Sequence, residues 1–532
     1  MRKLLAGFYA AGFYAALALS LSSVGILAGG ALGSGAQAQT PKNVLVIGHV
    51  AELQTLDPAQ SVTISDFRIL ANMYEGLLHY KDGSLELEPG LATSWTMSPD
   101  GKTYTFKLRE GVKFHDGTPF NAEAVKFNLD RITDKTHPYY NTGPFPFVFL
   151  LGPIQSTEVV DPMTVSIHLS APYAPMLTMM GSAVGGLVGI SPAAVKQYGK
   201  EFSRHGGGTG PFKFKLWESS QRFVLEANKE YWGGAPKLEG LVFRPIIDEN
   251  ARVSEMLSGG TDITIEVPPD NVASFKDTAK FTYYEQAGPH LWYLLLNTKE
   301  KPFDDKRVRQ AANYAINKEA MVNQILKGTA TVAAGPTPSA FTWAHDNDLK
   351  PYPYDPAKAK ALLAEAGYPN GVDVTFYVTE SGSGMLSPIL MGTAIQADLQ
   401  AVGIRPKIET YEWNTFLGKL IPGMEGKAQI AELSFMTQDP DMHPALALRT
   451  GGAVNSGRYS NPKVDELIDA GRTESDPAKR AAIYKQLQEI VADDAPWVFI
   501  ANWKQNAVSS ASVKGFEPHP SFTTRFWKVY KE

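Results

Sequence analysis

The sequence predicts an α/β fold that carries a β-rich section, and three observations predict it. From about Leu291 onward, strand-like runs alternate with long, well-capped helical segments, which is the texture of α/β units. Before that point, alternating runs such as Lys102–Arg109 and Thr164–Leu169 stand between turn signals, the texture of antiparallel sheet. The chain has 532 residues and no cysteine, a length that implies more than one structural unit and a core built by burial alone.

The elements follow in order. Arg2 and Lys3 open a long uncharged stretch rich in Ala, Leu, Gly and Phe, and Ala36-Gln37-Ala38 supplies small residues at a cleavage site. Residues 1–38 therefore read as a secretory signal peptide, whose removal would lower the net charge of −5 by two cations. No later apolar run reaches the roughly 18 residues that span a bilayer, and without cysteine there is no acylated anchor. The expected product is exported, soluble and periplasmic.

Asn43–Val50 reads as a buried strand and Ser65–Leu77 as a helix, with Phe67, Leu70, Tyr74 and Leu77 on one face. Lys102–Arg109 and Thr164–Leu169 are strands that flank a helix over Asn121–Arg131, with Asn121 as its cap and Glu123 in its first turn. Phe212–Trp217 and Arg222–Asn228 form a hairpin. Asp355-Pro356, Asn461-Pro462 and Asp476-Pro477 each start a helix, with the polar residue capping and proline at the first helical position. Leu386–Val402 and Lys479–Val491 repeat apolar residues at helical spacing. No low-complexity linker divides the chain.

Catalytic chemistry finds no constellation. The ten histidines are scattered without an HxH or HExxH pair, and no GxSxG elbow occurs. Gly206–Gly210 lacks the GK[ST] of a phosphate loop and precedes a strand, so it reads as a turn. Asp439-Pro440-Asp441 reads as a proline-stiffened turn with a helix-capping aspartate. The absence of cysteine removes thiol nucleophiles, Cys-based zinc sites and Fe–S clusters. The charge balance offers no footprint for nucleic acid. Aromatic residues gather instead at predicted loop and strand ends: Trp292-Tyr293, Tyr411 with Trp413, and Trp497 with Trp503. Such a set fits a cleft that binds by stacking and burial.

The stretch LATSWTMSPDGKTYTFKLREGVKFHDGTPF (91–120) closely resembles the signature of the extracellular solute-binding proteins of family 5, the dipeptide, oligopeptide and nickel class. The likeness continues through 208–232, 296–328 and 459–472. It implies a two-lobed periplasmic binding protein fold of the α/β class, with a hinge and an extra β-rich domain inserted in the first lobe. Lobe 1 would be 39–288 plus 503–532, the insert about 80–185, and lobe 2 289–502, with crossovers near Ala287–Leu291 and Ala501–Gln505. It implies no enzyme and no cofactor. The protein would be a monomeric subunit of an ABC importer that traps a peptide-like solute by hinge closure and docks on the permease's transmembrane subunits.

Dipeptide binders of this class hold the ligand's ammonium group with an aspartate just before the Asp-Pro-Asp turn, and its carboxylate with an arginine before the Ile-Gln-Ala-Asp helix. Here those places fall at Met436 and within Glu380–Gly384, and neither charge is present. A zwitterionic dipeptide would lack its counter-charges. The expected solute has peptide-like size with different polar ends: a modified or longer peptide, an opine-type conjugate or an oligosaccharide. The candidate ligand-binding residues are Glu52, Gln54, His205, Trp292, Tyr293, Glu380, Ser381, Trp413, Met436, Asp439, Asn455 and Arg458. An alternative is metal-chelate or haem binding on the same fold, with His205, His290 or His443 near the cleft, and no resident metal site is assigned.

Overall fold

The computed structural model describes residues 43–532 except Asp277, Ser381 and Ser383. The segment read as a signal peptide, and the candidate Ser381, lie outside these residues.

Eleven strands form one continuous sheet. From one edge its order is Ile404–Tyr411, Val372–Thr379, Ile430–Met436, Phe281–Leu296, Trp497–Ser510, Ile263–Ile265, Val44–His49, Gly240–Pro245, Arg222–Ala227 and Phe212–Glu218, with Ala330–Val332 also paired to Trp497–Ser510. Pairing is parallel on both sides of Val372–Thr379 and on both sides of Val44–His49. The two parallel regions are joined through the long antiparallel strands Phe281–Leu296 and Trp497–Ser510. Those strands are the common spine of both α/β halves. Their register slips between Ala287 and His290, where Gly288 and Pro289 leave the ladder, while Lys504 and Trp503 opposite stay consecutive.

A separate antiparallel sheet runs Ala92–Met97, Thr103–Leu108, Thr164–Leu169, Ile154–Asp161. Tyr104, Phe106, Val165 and Ile167 on its inner face share a core with Leu45, Ile47 and Leu241 of the main sheet. The other half of the main sheet is buried on both faces, as parallel-type sheet requires. Trp292, Leu294 and Leu296 pack into one core, and Leu291, Tyr293 and Leu295 into another.

The local grammar reads through. Asn121, Asp355 and Asp476 each accept a hydrogen bond from the amide three residues on, and Asn461 from the amide two residues on. The predicted hairpin forms between Phe212–Glu218 and Arg222–Ala227. Two expectations need correction. The helix expected over Ser65–Leu77 spans only Ile64–Leu70. The carbonyls of Asn72 and Met73 instead accept from Phe212 N and Gly210 N, a long-range pairing that takes the chain out of the helix. Asp441 precedes the helix Met442–Ala447 without a side-chain capping bond; the turn is closed by Asp439 Oδ1, which accepts from Asp441 N at 2.9 Å.

Asp57 and Arg131 form a bidentate ion pair at 2.9 and 3.1 Å, fully buried on both sides. Removing one partner strands the other charge in the core, so Asp57→Ala is expected to cost about 3–5 kcal/mol in urea unfolding. Lys306→Ala, which breaks an exposed pair with Asp493, is expected to cost under about 1 kcal/mol in the same assay.

Candidate functional site

The two long strands and Ile430–Met436 lay a set of side chains on one face beside the register slip. His290 pairs with Met436 and with Trp503, and Trp292 pairs with Ser434. With a period of two along each strand, His290, Trp292, Ser434, Met436 and Trp503 share that face. Phe522, from the C-terminal segment, completes it. Its ring lies 4.8 Å from the His290 ring and 5.3 Å from Trp503. Arg68 reaches the same place from the first helix, its guanidinium 5.7 Å from the Phe522 ring and its Nε donating to Phe522 O at 3.1 Å.

Backbone conformation marks the place too. Phe522 sits at φ 64°, a left-handed conformation that costs a bulky residue of order 1–3 kcal/mol unless its surroundings impose it. Phe522 N donates to His519 O, and the ring closes on Gly288, where a Cβ would lie 2.7 Å from it. Above the floor runs the loop after Val372–Thr379. A Cβ on Gly384, itself at φ 74°, would lie 2.6 Å from His290 Nε2 and 3.0 Å from Ser434 Oγ. Glycine therefore lets the loop settle onto the floor, and a Cβ on Gly382 would collide with the Trp413 ring.

The floor is buried, yet its polar atoms are unspent. Among the described residues, Arg68 Nη1, His290 Nδ1, Trp292 Nε1, Trp503 Nε1 and Ser434 Oγ have no hydrogen-bond partner. Buried polar groups are ordinarily paired, so five unpaired ones around a single floor make it the candidate binding surface. Burial, with Arg68 and His443 adding, lowers the His290 pKa to about 3, so its imidazole is neutral. Glu432, two residues before Ser434, is pushed well above the usual carboxylate range by burial, and its Oε2 is also unpartnered.

The expected residues distribute as follows. Trp292 and Met436 belong to the floor, and Trp413 stands at the loop above it, stacked on Phe416 at 5.9 Å. Glu380 is exposed at the loop's start, its amide donating to Tyr411 O. Tyr293 points to the opposite face, its hydroxyl 3.0 Å from His443 Nε2 and its ring 4.3 Å from Trp497. Asp439 is held by Arg480 at 2.5 and 3.1 Å. Glu52 accepts from Ser219 Oγ and from the amide and hydroxyl of Ser220, Gln54 is exposed, and His205 stacks on Tyr198 at 3.8 Å. Asn455 ties its own loop through Arg449 O and Tyr459 O, and Arg458 lies 4.0 Å from Glu300. His205, His290 and His443 thus stand in three different environments, and among the described residues no group of three His, Asp or Glu is arranged to hold a metal. Arg68, Ser434 and Phe522 carry no motif in the sequence; the only signal for Phe522 is an aromatic residue in the Pro- and Ser-bearing stretch after the second crossover.

A family model described as bacterial extracellular solute-binding proteins, family 5, matches residues 86–457. The chain belongs to that family. This solute-binding protein is 35% identical over 474 residues to heme-binding protein A of Haemophilus influenzae, covering 86% of each chain. It is 33% identical over 487 residues to the glutathione-binding protein GsiB of Shigella dysenteriae, covering 89% of this chain and 91% of that one. Among solved structures, the periplasmic binding protein DppA of Helicobacter pylori in complex with the peptide STSA superposes with a TM-score of 0.81 at 32% identity, over 92% of this chain and 98% of that one. AgaA of A. tumefaciens in complex with agropinic acid gives a TM-score of 0.78 at 27% identity, over 92% of this chain and 99% of that one. The fold is the periplasmic binding protein fold of the α/β class, and the family consists of binding proteins rather than enzymes.

The neutral floor histidine has a consequence for stability. Unfolded His290 takes a proton as pH falls through about 6.5, while the folded residue resists down to about 3. Its contribution is complete above pH 6.5 and is lost between 6.5 and 3. Between pH 6.5 and 4.5, wild-type protein is expected to lose up to about 2 kcal/mol more stability than His290→Gln, read from urea midpoints at each pH.

Proposed function

We propose that this protein is the exported periplasmic receptor of an ABC importer, and that it holds a peptide-like solute on the floor formed by His290, Trp292, Ser434, Met436, Trp503 and Phe522, beneath Gly382 and Gly384. The observation that carries this reading is the set of unpartnered polar atoms on that buried floor. Four of them, on Arg68, Trp292, Trp503 and the imidazole, are nitrogen atoms among aromatic rings, which suits a solute presenting carbonyl or carboxylate oxygens. Asp439 is already neutralised by Arg480, so it does not supply the counter-charge a free ammonium would need there. Relatives that bind glutathione, or that were solved with a peptide or agropinic acid, support a peptide-derived conjugate bearing carboxylates.

In this reading residues 1–38 are a signal peptide, lobe 1 is 39–288 plus 503–532 with an insert at about 80–185, and lobe 2 is 289–502. The register slip between Ala287 and His290 supports a hinge there, because a local break in the ladder concentrates bending. A solute touching both lobes binds the closed form better and shifts the population toward it, and the closed form is what the permease would receive.

Mass spectrometry of small molecules released by denaturing the purified protein is expected to identify a carboxylate-bearing peptide-like solute. Titration calorimetry with that solute should show Trp503→Ala weakening affinity by about tenfold or more, from lost stacking and a lost donor. Unchanged affinity in that variant would rule the floor out as the binding surface.

A further inference from the structure

A cavity lies beside the Asp-Pro-Asp turn. It has a volume of about 240 Å³, and its walls come from two distant parts of the chain. Phe149 and Met179 face it from one side, and Met442 and Leu446 from the other. Asp441 and Arg472 line it as well. The two sides are clasped directly: Ala174 N donates to Arg472 O at 2.7 Å, Thr178 Oγ1 to Asp439 Oδ2 at 3.3 Å, and the Arg472 guanidinium lies 5.3 Å from the Tyr173 ring.

The two carboxylates of the Asp-Pro-Asp turn are treated differently by this arrangement. Asp439 is saturated by Arg480 and Thr178. Asp441 is 2% exposed; its Oδ2 meets Arg472 Nε at 3.4 Å, and its Oδ1 has no hydrogen-bond partner among the described residues. Burial and the neighbouring charge of Asp439, against the opposing effect of Arg472, bring its pKa up to about 7. A buried carboxyl short of donors beside an apolar cavity is costly unless something completes it.

We propose that this cavity is a second binding subsite that takes an aliphatic ammonium group, its chain packed on Phe149, Met179, Met442 and Leu446 and its nitrogen donating to Asp441 Oδ1. Neither Asp441 nor these apolar residues belong to the hinge floor, so the subsite stands whether or not the floor binds as described. Because its walls come from both sides of the clasp, a molecule seated there holds them together and favours the closed arrangement.

The test is calorimetric titration of the full-length protein with n-pentylamine, with n-pentanoate as the charge-reversed control. Pentylamine is expected to bind in the millimolar range and pentanoate not at all. Asp441→Asn should weaken pentylamine by about tenfold, and Met179→Trp, which fills the cavity and leaves Asp441 in place, should abolish binding. Circular dichroism of both variants checks that they fold. Failure of pentylamine to bind wild type, or equal affinity in wild type and both folded variants, overturns the proposal. Where it binds, competition by the solute released from the purified protein assigns the subsite to that solute's own amine-bearing end. Independent binding assigns it to a separate small amine; both results support the subsite.

Discussion

Everything in this molecule hangs on one antiparallel pairing. Phe281–Leu296 and Trp497–Ser510 run side by side through both halves of the sheet, and each half completes its parallel region by adding strands to one of them. The strands must therefore satisfy two cores at once, with a register slip between them. They do so by division of labour along their length. From Leu291 to Leu296 the first strand is apolar on both faces and locked between two cores. From Phe281 to Ala287 it is largely half-exposed. Gly288 and Pro289 mark the boundary: proline has no amide hydrogen to give the ladder, and a Cβ at position 288 would meet the Phe522 ring.

The boundary is also where the polar atoms go unpaired. Elsewhere many interior polar groups are paired: Arg131 and Asp57 neutralise each other, Gln488 bridges Ala344 O and Tyr484 O, and Asn313 reaches Arg309 O and Trp497 O. Unpartnered buried atoms occur elsewhere too, on His49, Asn128, Arg131 and Asp441, but on this floor five come together, next to a left-handed phenylalanine and a loop brought down by glycine. Strain and unspent hydrogen-bonding capacity coincide at this boundary, which is what makes the floor the candidate site.

Most of the fold was legible because its signals are local. An aspartate or asparagine before proline caps a helix wherever the rest of the chain lies, and alternating residues in Thr164–Leu169 make a strand on their own. What escaped depends on distant partners. The helix from Ile64 ends early because Gly210 and Phe212 claim its next carbonyls. Asp441 does not cap because Asp439 and Arg480 set the turn. The candidate site was half legible for the same reason. Trp292 announces itself as an aromatic residue near a crossover, Trp413 as one at a predicted strand end, and Met436 through its place before the Asp-Pro-Asp turn in the family resemblance. Arg68 reads as an ordinary helical cation until Glu266 takes one nitrogen at 2.7 Å and leaves another unused. Tyr293, adjacent to Trp292, was expected beside it and faces the other way, since neighbouring residues on a strand cannot share a face.

The chemistry of the floor follows from how its charges are arranged. Arg68 is partly neutralised by Glu266, His290 is neutral, Glu432 is pushed toward its protonated form, and Asp439 is tied to Arg480. No full, uncompensated charge faces the floor from these groups. Under the proposed reading, recognition would rest on directional polar groups set among aromatic rings rather than on a buried ion pair. Such a surface tolerates variation in a solute's net charge more than a dedicated aspartate or arginine does, because no counter-charge is stranded when the ligand changes. Under the proposed reading, selectivity would come from shape and from oxygen placement against the glycine-borne loop and the rings of Trp503 and Phe522.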